Sequence, residues 1–438
     1  MKRPTRKQIL IISICAAAAL LVGGGYLFYA KVYGNAAKIK LYQTAVPKYE
    51  WQDIASDNNI VSDYLWSRTK KLMLEDNRIL IPSSYKIAGR LVTQEAEVSE
   101  IYDLSDQALL LKCYVQAGDM VAATTLKKEV IKQFKTYDGM YFSTIGSDYD
   151  YKAISDNVAW LDAFLEYYAV YGTADDYEEI KELTGALFDE NGELKPESLT
   201  VARYVDTMYV STDDHDDEDP YDSSLEQVYG AFIGEEGEED MVIREDPDAE
   251  VSGVKISDIN LKLIYNLEQN DLIPKGSYDN ALEIVKGSVA GAGVPYYAYA
   301  YERTANGINY IYSGTENAAI SMTETIRTMK NLAEMNELDG DSYNELRNLI
   351  MNSGAIYMYY YLTTGNYSEN VAYDAYVDAM QIAFLMDDAD LYDKICNCIG
   401  MRVASKSTSP ALYMVFREED GRYVFYASEN LGVRLAVG

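Results

Sequence analysis

An all-helical body made of repeated helical hairpins, closed into a ring or left as an open solenoid, is the fold class this sequence predicts. Three observations carry the prediction. From about residue 55 onward, apolar residues recur at three- and four-residue steps. Ser, Asp or Thr commonly stands where these runs begin. Paired runs also repeat at intervals of about 40–60 residues through one domain, a spacing that marks stacked helical units.

The elements follow in chain order. "MKRPTRKQ" (1–8) carries four basic residues and no acid, and "ILIISICAAAALLVGGGYLFYA" (9–30) is uncharged. A run of this length crosses a bilayer core of roughly 30 Å. It exceeds the 7–15 apolar residues typical of a cleaved signal, so an uncleaved transmembrane helix is expected. The basic tail would remain cytoplasmic and the rest of the chain would lie outside the cell. Ile14 is too large to precede a lipidated Cys15. Residues 31–55 read as a linker and residues 56–438 as the extracellular domain.

Within that domain, five helix–turn–helix pairs are legible. They cover 105–134, 155–188, 256–289, 317–365 and 370–403. The tyrosine-rich run "AIYMYYYL" (355–362) belongs to the fourth pair and reads as buried helix. Between pairs lie "YDGMYF", "FDENGEL", "TANGINYIYSG" and "EEDGRYVFY", each with an Asp/Asn-Gly turn among tyrosines or other β-formers. These predict short hairpins or extended loops at one end of the bundle. An acidic insertion at about 211–250, containing "TDDHDDEDP" and "GEEGEEDMVIREDPDAE", reads as a solvated loop around a short helix. It lacks the spacing and central Gly of an EF-hand.

Composition removes several kinds of chemistry. The formal net charge is −32, a field that repels nucleic acid and anionic polymers. A neutral or cationic partner is therefore expected. Cys113, Cys396 and Cys398 are the only cysteines beyond Cys15 and show no disulfide framework spacing. His215 is the single histidine, which rules out a His–His metal pair and leaves any His-dependent triad or Cys–His dyad to this one acidic-run residue. No metal or cofactor is called for. Carboxylates, tyrosines and amides remain.

Four segments place acids just before or inside the start of a helix. They are "EVSEIYDLSDQALLLKCYVQAGD" (97–119), "KAISDNVAWLDA" (152–163), "GVKISDINLKLIYNLEQNDLIP" (253–274) and "YIYSGTENAAISMTETIRTM" (310–329). Over most of residues 60–438 the chain resembles glycoside hydrolase family 8 and the related family 126, both built on an (α/α)6 barrel. The resemblance implies a six-hairpin toroid with short β-hairpin loops and acid/base cleavage of glycosidic bonds. Glu100, in "VSE", looks like the proton donor, although the glycines and aromatic that follow the family's "SE" are missing. A gapless alignment puts Ser105 there instead, which implies an inactive site unless Asp103 or Asp106 substitutes. Asp156 resembles the first, sugar-binding Asp of "ATDxDxD", while Val158 and Trp160 replace the next two acids. Asp258 takes the position of the catalytic base, and Glu316 with Asn317 precede a further helix. Asp156 and Asp258 also read as helix caps.

Tyrosine is abundant, at 41 residues against 9 Phe and 3 Trp. Its flat face and hydroxyl suit the C–H faces and hydroxyls of sugars. Tyr297, Tyr299, Tyr301 and Tyr312 are the substrate-binding candidates, and core or cross-strand packing is their alternative role. Three functions stand open: a membrane-anchored extracellular hydrolase of a neutral glucan or exopolysaccharide; a non-catalytic glycan-binding scaffold of a polysaccharide synthesis or export complex; or a helical-repeat protein that binds a protein partner.

Overall fold

The computed structural model describes residues 38–44, 50–75, 78–88, 96–147, 151–210, 240–290, 294–312, 319–362 and 364–437. Ile9–Ala30, the expected transmembrane helix, lies outside the described residues, as do His215, Glu316 and Asn317. Among the described residues no helix is long and apolar enough to cross a membrane.

Thirteen helices make up the described body. They are α1 (Trp51–Asp57), α2 (Ser62–Met73), α3 (Leu104–Gln116), α4 (Met120–Phe134), α5 (Ile154–Tyr171), α6 (Ala174–Leu187) and α7 (Leu261–Gln269). After them come α8 (Ser277–Gly287), α9 (Met322–Glu334), α10 (Gly340–Ser353), α11 (Ala375–Leu385), α12 (Ala389–Gly400) and α13 (Ala427–Val437). Helices α3, α5, α7, α9, α11 and α13 surround a common axis; α2, α4, α6, α8, α10 and α12 pack outside them. The ring closes because α13 packs against both α3 and α2. The structure is thus the closed alternative, an (α/α)6 barrel.

Five of the six hairpins match the expected pairs. Many of their helices are capped by their own sequence: Asp119, Asn260, Asp339 and Asp388 accept from backbone N–H groups of the first turn. Thr173 and Asp176 form a reciprocal capping box at α6. The sixth hairpin joins α2 to α13 from opposite ends of the domain. Helix α5 is buried on nearly every side, through Val158, Trp160, Leu161, Phe164 and Tyr167 among others, as an inner helix flanked by layers must be.

Two sequence expectations change. "AIYMYYYL" is not helix: α10 stops at Ser353, where Gly354 adopts φ 68° and donates to the Ile350 carbonyl. Tyr359–Tyr361 then form a strand between Ala319–Ser321 and Asn366–Tyr367. Residues 240–250 of the expected acidic loop are not loop: Asp240–Lys255 is a strand paired antiparallel with Glu197–Val210, and residues 211–239 lie outside the described residues.

The expected hairpins are present. Lys135 bridges Tyr141, Phe188 bridges Leu194, Ala300–Thr304 pairs with Gly307–Ile311, and Arg417–Glu419 pairs with Arg422–Tyr426. Each lies between an outer helix and the next inner helix. All therefore gather at the end where inner helices begin, whereas short turns connect the helices at the other end. One sheet at the hairpin end ties the domain's first strand to its last, with Ser84 opposite Tyr426.

Candidate functional site

A cavity of about 700 Å³ runs down the barrel axis, lined by residues from all six inner helices and from the Ile256–Asp258 turn that leads into α7. At the hairpin end, where inner helices start, its lining includes Ser105, Asp156, Asp258 and Arg327. The helix starts bring acids from distant parts of the chain to one mouth.

Asp156 is not a cap. Ala153 occupies the N-cap position of α5 without a side-chain bond. The Ile154 N–H is met instead by Glu197 Oε2 at 3.2 Å. The hydroxyls of Ser143 and Ser105 lie near the Asp156 carboxylate and favour its charged form. Burial pushes its pKa up, against the opposing pull of Ser143, Arg327, Ser105 and Lys255. Ser143 is itself buried, and its Oγ accepts from the Ala153 N–H at 2.8 Å. The loop before α5 and the first turn of α3 thus hold one carboxylate between them.

Asp258 is not a cap either. Asn260 is the N-cap of α7, accepting from the Leu263 N–H at 2.9 Å. Asp258 ends a 3-10 turn, is buried, and has one carboxyl oxygen, Oδ2, without a hydrogen-bond partner. Burial raises its pKa to about 7; Lys255 and Arg327 oppose the shift, and Glu197 and Glu324 add to it. Asn331 of α9 donates to the carbonyls of Ser257 at 3.1 Å and Ile259 at 3.2 Å, gripping the turn on both sides of Asp258.

The sequence reading missed the next group. Glu324, in the first turn of α9, also has a buried oxygen, Oε2, without a partner, and burial raises its pKa. Its Oε1 lies 4.0 Å from Lys255 Nζ. Arg327, one turn on, places Nε 3.6 Å from Asp378 Oδ2 of α11. Lys255 Nζ sits 5.7 Å from the centre of the Tyr299 ring. The pattern that could have found Glu324 was its place two residues after Met322, within the segment already singled out at 310–329.

On α3, Ser105 lines the cavity, flanked by Asp103 and Asp106. Asp103 is half-buried, and burial with the nearby Asp156 charge pushes its pKa to about 6. Asp106 is buried and shifted well upward, first by burial and then by Asp103 and Asp156. Glu100 is exposed, whereas Asp103 is half-buried beside Asp156; neither is among the cavity-lining residues. The Glu100 carbonyl packs so closely on Gly146 (φ 83°) that a Cβ there would lie 2.1 Å from the oxygen. The structure therefore brings Asp156 and Asp258 together and leaves the Glu100 side chain outside the cavity.

The tyrosines divide in the same way. Tyr299 is half-buried beside Lys255, with Glu324 and Asp258 in electrostatic reach. Tyr297 is only 2% exposed and donates to Asp339 Oδ2 at 3.0 Å, at the start of outer helix α10. Tyr301 is buried in the same core. Tyr312 packs on that core and donates to the Val289 carbonyl at 3.4 Å. None of the four is among the cavity-lining residues, and Tyr299 packs on the small cluster of Leu199, Val201, Val251, Ala300 and Ile311; Tyr297, Tyr301 and Tyr312 serve packing, so the expectation that they stack on a sugar is corrected. Tyr151, exposed beside Asp156 and Asp103, is a mouth tyrosine that the sequence reading passed over.

Deeper along the axis the lining is ionic. Lys112 donates to Asp162 and lies 3.4 Å from Glu166, and Lys262 reaches Glu166 at 3.7 Å. Burial pushes Asp162 upward, yet Lys112 and then Lys262 hold it below the usual carboxylate range. These charges are satisfied by one another, unlike the carboxyls at the mouth. Among the described residues no group of three or more His, Cys, Asp and Glu is arranged to hold a metal ion.

No protein-family model matches the sequence. No curated protein matches it either. Solved structures do match. A novel alpha-amylase from Clostridium perfringens superposes with a TM-score of 0.61 at 13% identity, covering 90% of this chain and 99% of its own. PssZ from Listeria monocytogenes gives 0.50 at 12% identity over 91% and 97% of the two chains. A double mutant of Rex8A from Paenibacillus barcinonensis gives 0.50 at 10% identity over 89% and 93%. The chain shares the (α/α)6 fold of these three structures.

Proposed function

We propose that this protein is a glycoside hydrolase that cleaves a neutral polysaccharide at the barrel mouth, held outside the cell by Ile9–Ala30. One observation supports it above the others: Asp156 and Asp258 line the mouth, Glu324 lies within electrostatic reach of Asp258, and Asp258 Oδ2 and Glu324 Oε2 are buried without partners. A buried polar atom left unpaired costs about 1–3 kcal/mol. The cost persists where a ligand or reacting water completes the bond. The acidic chain and acid-rich mouth favour a neutral glycan over an anionic one.

Asp156 grips a sugar hydroxyl, oriented by Ser143 and Ser105. Asp258 serves as general base: it takes a proton from water as the water oxygen bonds to the anomeric carbon. The proton donor is Asp103, one of the two acids beside Ser105 that stand as substitutes for Glu100. Its half-buried carboxyl protonates the departing glycosidic oxygen, and the leaving chain carries that proton away as a hydroxyl. Asp258 ends protonated and Asp103 ionised, and exchange with solvent resets both. This is inverting hydrolysis, in which two carboxyls act across a water. Tyr299 and Tyr151 provide faces for the sugar rings.

A second reading has its own support. Ser105, not an acid, lines the cavity in the first turn of α3, and Glu100 is exposed. On that reading the mouth binds glycan without cutting it and serves as a scaffold for synthesis or export components in the envelope. Reducing-sugar release from β-1,4-glucan, mixed-linkage glucan and α-glucan separates the two. Release that disappears in Asp258→Asn supports hydrolysis. Binding without release, lost in Asp156→Ala, supports the scaffold. Neither release nor binding on any glycan would sink both.

A further inference from the structure

The segment that leads from the N-terminus into the barrel does not hang free. Lys40 donates its N–H to Asn270 Oδ1 at 3.1 Å, and Asn270 Nδ2 returns a bond to the Lys40 carbonyl at 3.0 Å. The Tyr42 N–H meets Asn266 Oδ1 at 2.6 Å, and Asn336 Nδ2 donates to the Tyr42 hydroxyl at 3.3 Å. The Tyr42 ring stands edge-on to Tyr265 at 5.4 Å. Ile39 and Leu41 pack on the core. Further on, Trp51 of α1 packs against Phe384 and Tyr392 at 5.3 and 4.7 Å.

These partners share one location. Asn266 and Asn270 lie at the last turn and C-cap of α7, Asn336 just beyond the end of α9, and Phe384 in the last turn of α11. They mark the C-terminal ends of inner helices, whereas the mouth acids lie where those helices begin. The chain thus crosses the end of the barrel remote from its mouth, then climbs through α2 to the hairpin end.

We infer that the barrel stands with this strapped end toward the bilayer and its mouth opening away from it. The inference rests on the proposed anchor. Between Ala30 and Lys38 are seven residues, 31–37, a tether that spans at most roughly 25 Å when fully extended. Helix α5, with 18 residues, sets the mouth roughly 27 Å beyond the strapped end. The turns at that end carry Asp175, Glu337, Asp341 and Asp390 against Lys38 and Lys40. Anionic headgroups repel such a face, so the tether rather than adsorption sets the height. The substrate class follows: a polymer that has left the membrane, not a lipid-linked precursor held at the headgroups.

Fluorophores on single cysteines test the orientation in the full chain reconstituted into phosphatidylcholine vesicles with a headgroup acceptor. Asp341→Cys labels the strapped end, and Tyr137→Cys, at a fully exposed position, labels the hairpin end. Cys15→Ala removes the cysteine of the proposed anchor, and Cys113, Cys396 and Cys398 are buried. Energy transfer from position 341 is expected to exceed that from 137 by about twofold, given the roughly 27 Å between barrel ends. Equal or reversed transfer in vesicle-bound protein overturns the orientation while leaving the anchor intact. Protein that stays in the supernatant when vesicles are pelleted overturns the anchor, and the orientation with it.

Discussion

Asn331 of α9 holds Asp258 in place without touching its carboxyl, because its side-chain amide bonds the backbone carbonyls of both neighbours, Ser257 and Ile259. Both hydrogen bonds are buried. Replacing it with Ala would leave two buried acceptors without a donor, each at about 1–3 kcal/mol. Asn331→Ala should lower unfolding stability by about 2–4 kcal/mol and reduce kcat more than it raises KM. Denaturant titration with initial-rate kinetics checks both. A variant with normal kcat would remove Asn331 from any positioning role.

Asp258→Asn should separate stability from function. A carboxyl whose folded pKa lies near 7, against an ordinary value of 3.8, is favoured in the fold when protonated. Its stabilising contribution is complete below pH ~4 and is lost as pH rises toward 7, because the unfolded chain ionises first. The Asn variant lacks that pH-dependent loss. It should be more stable than the parent at pH 8, by up to a few kcal/mol, and differ little at pH 4. Hydrolysis should meanwhile fall by about 10²–10⁴. Thermal melts at the two pH values test the first half and glucan turnover the second.

Asp103 at about 6 and Asp258 at about 7 predict a narrow pH profile. Hydrolysis needs the first protonated and the second ionised, a combination that peaks between these values at about 6% of the free enzyme. kcat/KM should rise up to pH ~6, stay level, and fall above pH ~7. A profile still climbing at pH 9 would contradict the assignment of Asp103 as donor.

Two neighbouring tyrosines should behave in opposite ways. Tyr299→Ala removes a ring beside Lys255 and should weaken glycan binding by about tenfold, as loss of one stacked ring does, with little change in melting temperature. Tyr297→Ala empties a core position and breaks its bond to Asp339. It should cost about 3–5 kcal/mol of stability and leave the affinity of the folded fraction unchanged. Isothermal titration and unfolding curves distinguish the two.

Much of the fold was legible because helical hairpins are local. Their apolar periodicity, caps and Asp/Asn-Gly turns all fall within short stretches, and five pairs could be read in this way. The sixth was hidden because α2 and α13 lie roughly 350 residues apart and no local pattern links them. "AIYMYYYL" misled because a run of tyrosines fits a buried helix or a strand. The glycine at 354 was the better guide. Asp156 and Asp258 were found through their place before helices, although Ala153 and Asn260, not they, turned out to be the caps. Glu324 had only its place in a helix's first turn to mark it, and Lys255 and Arg327 carry no spacing signal of their own, since their convergence depends on ring closure.

That closure also bears on how the chain is made. Until α13 emerges, α3 lacks one lateral neighbour, and Arg402 and Arg417 lack the Glu429 carboxylate that accepts from both. A nascent chain several hundred residues long therefore waits with an open seam and apolar flanks uncovered, the condition in which chaperones and proteases compete for it. Losing even the final two turns of α13 should thus act on yield in the cell before it acts on catalysis.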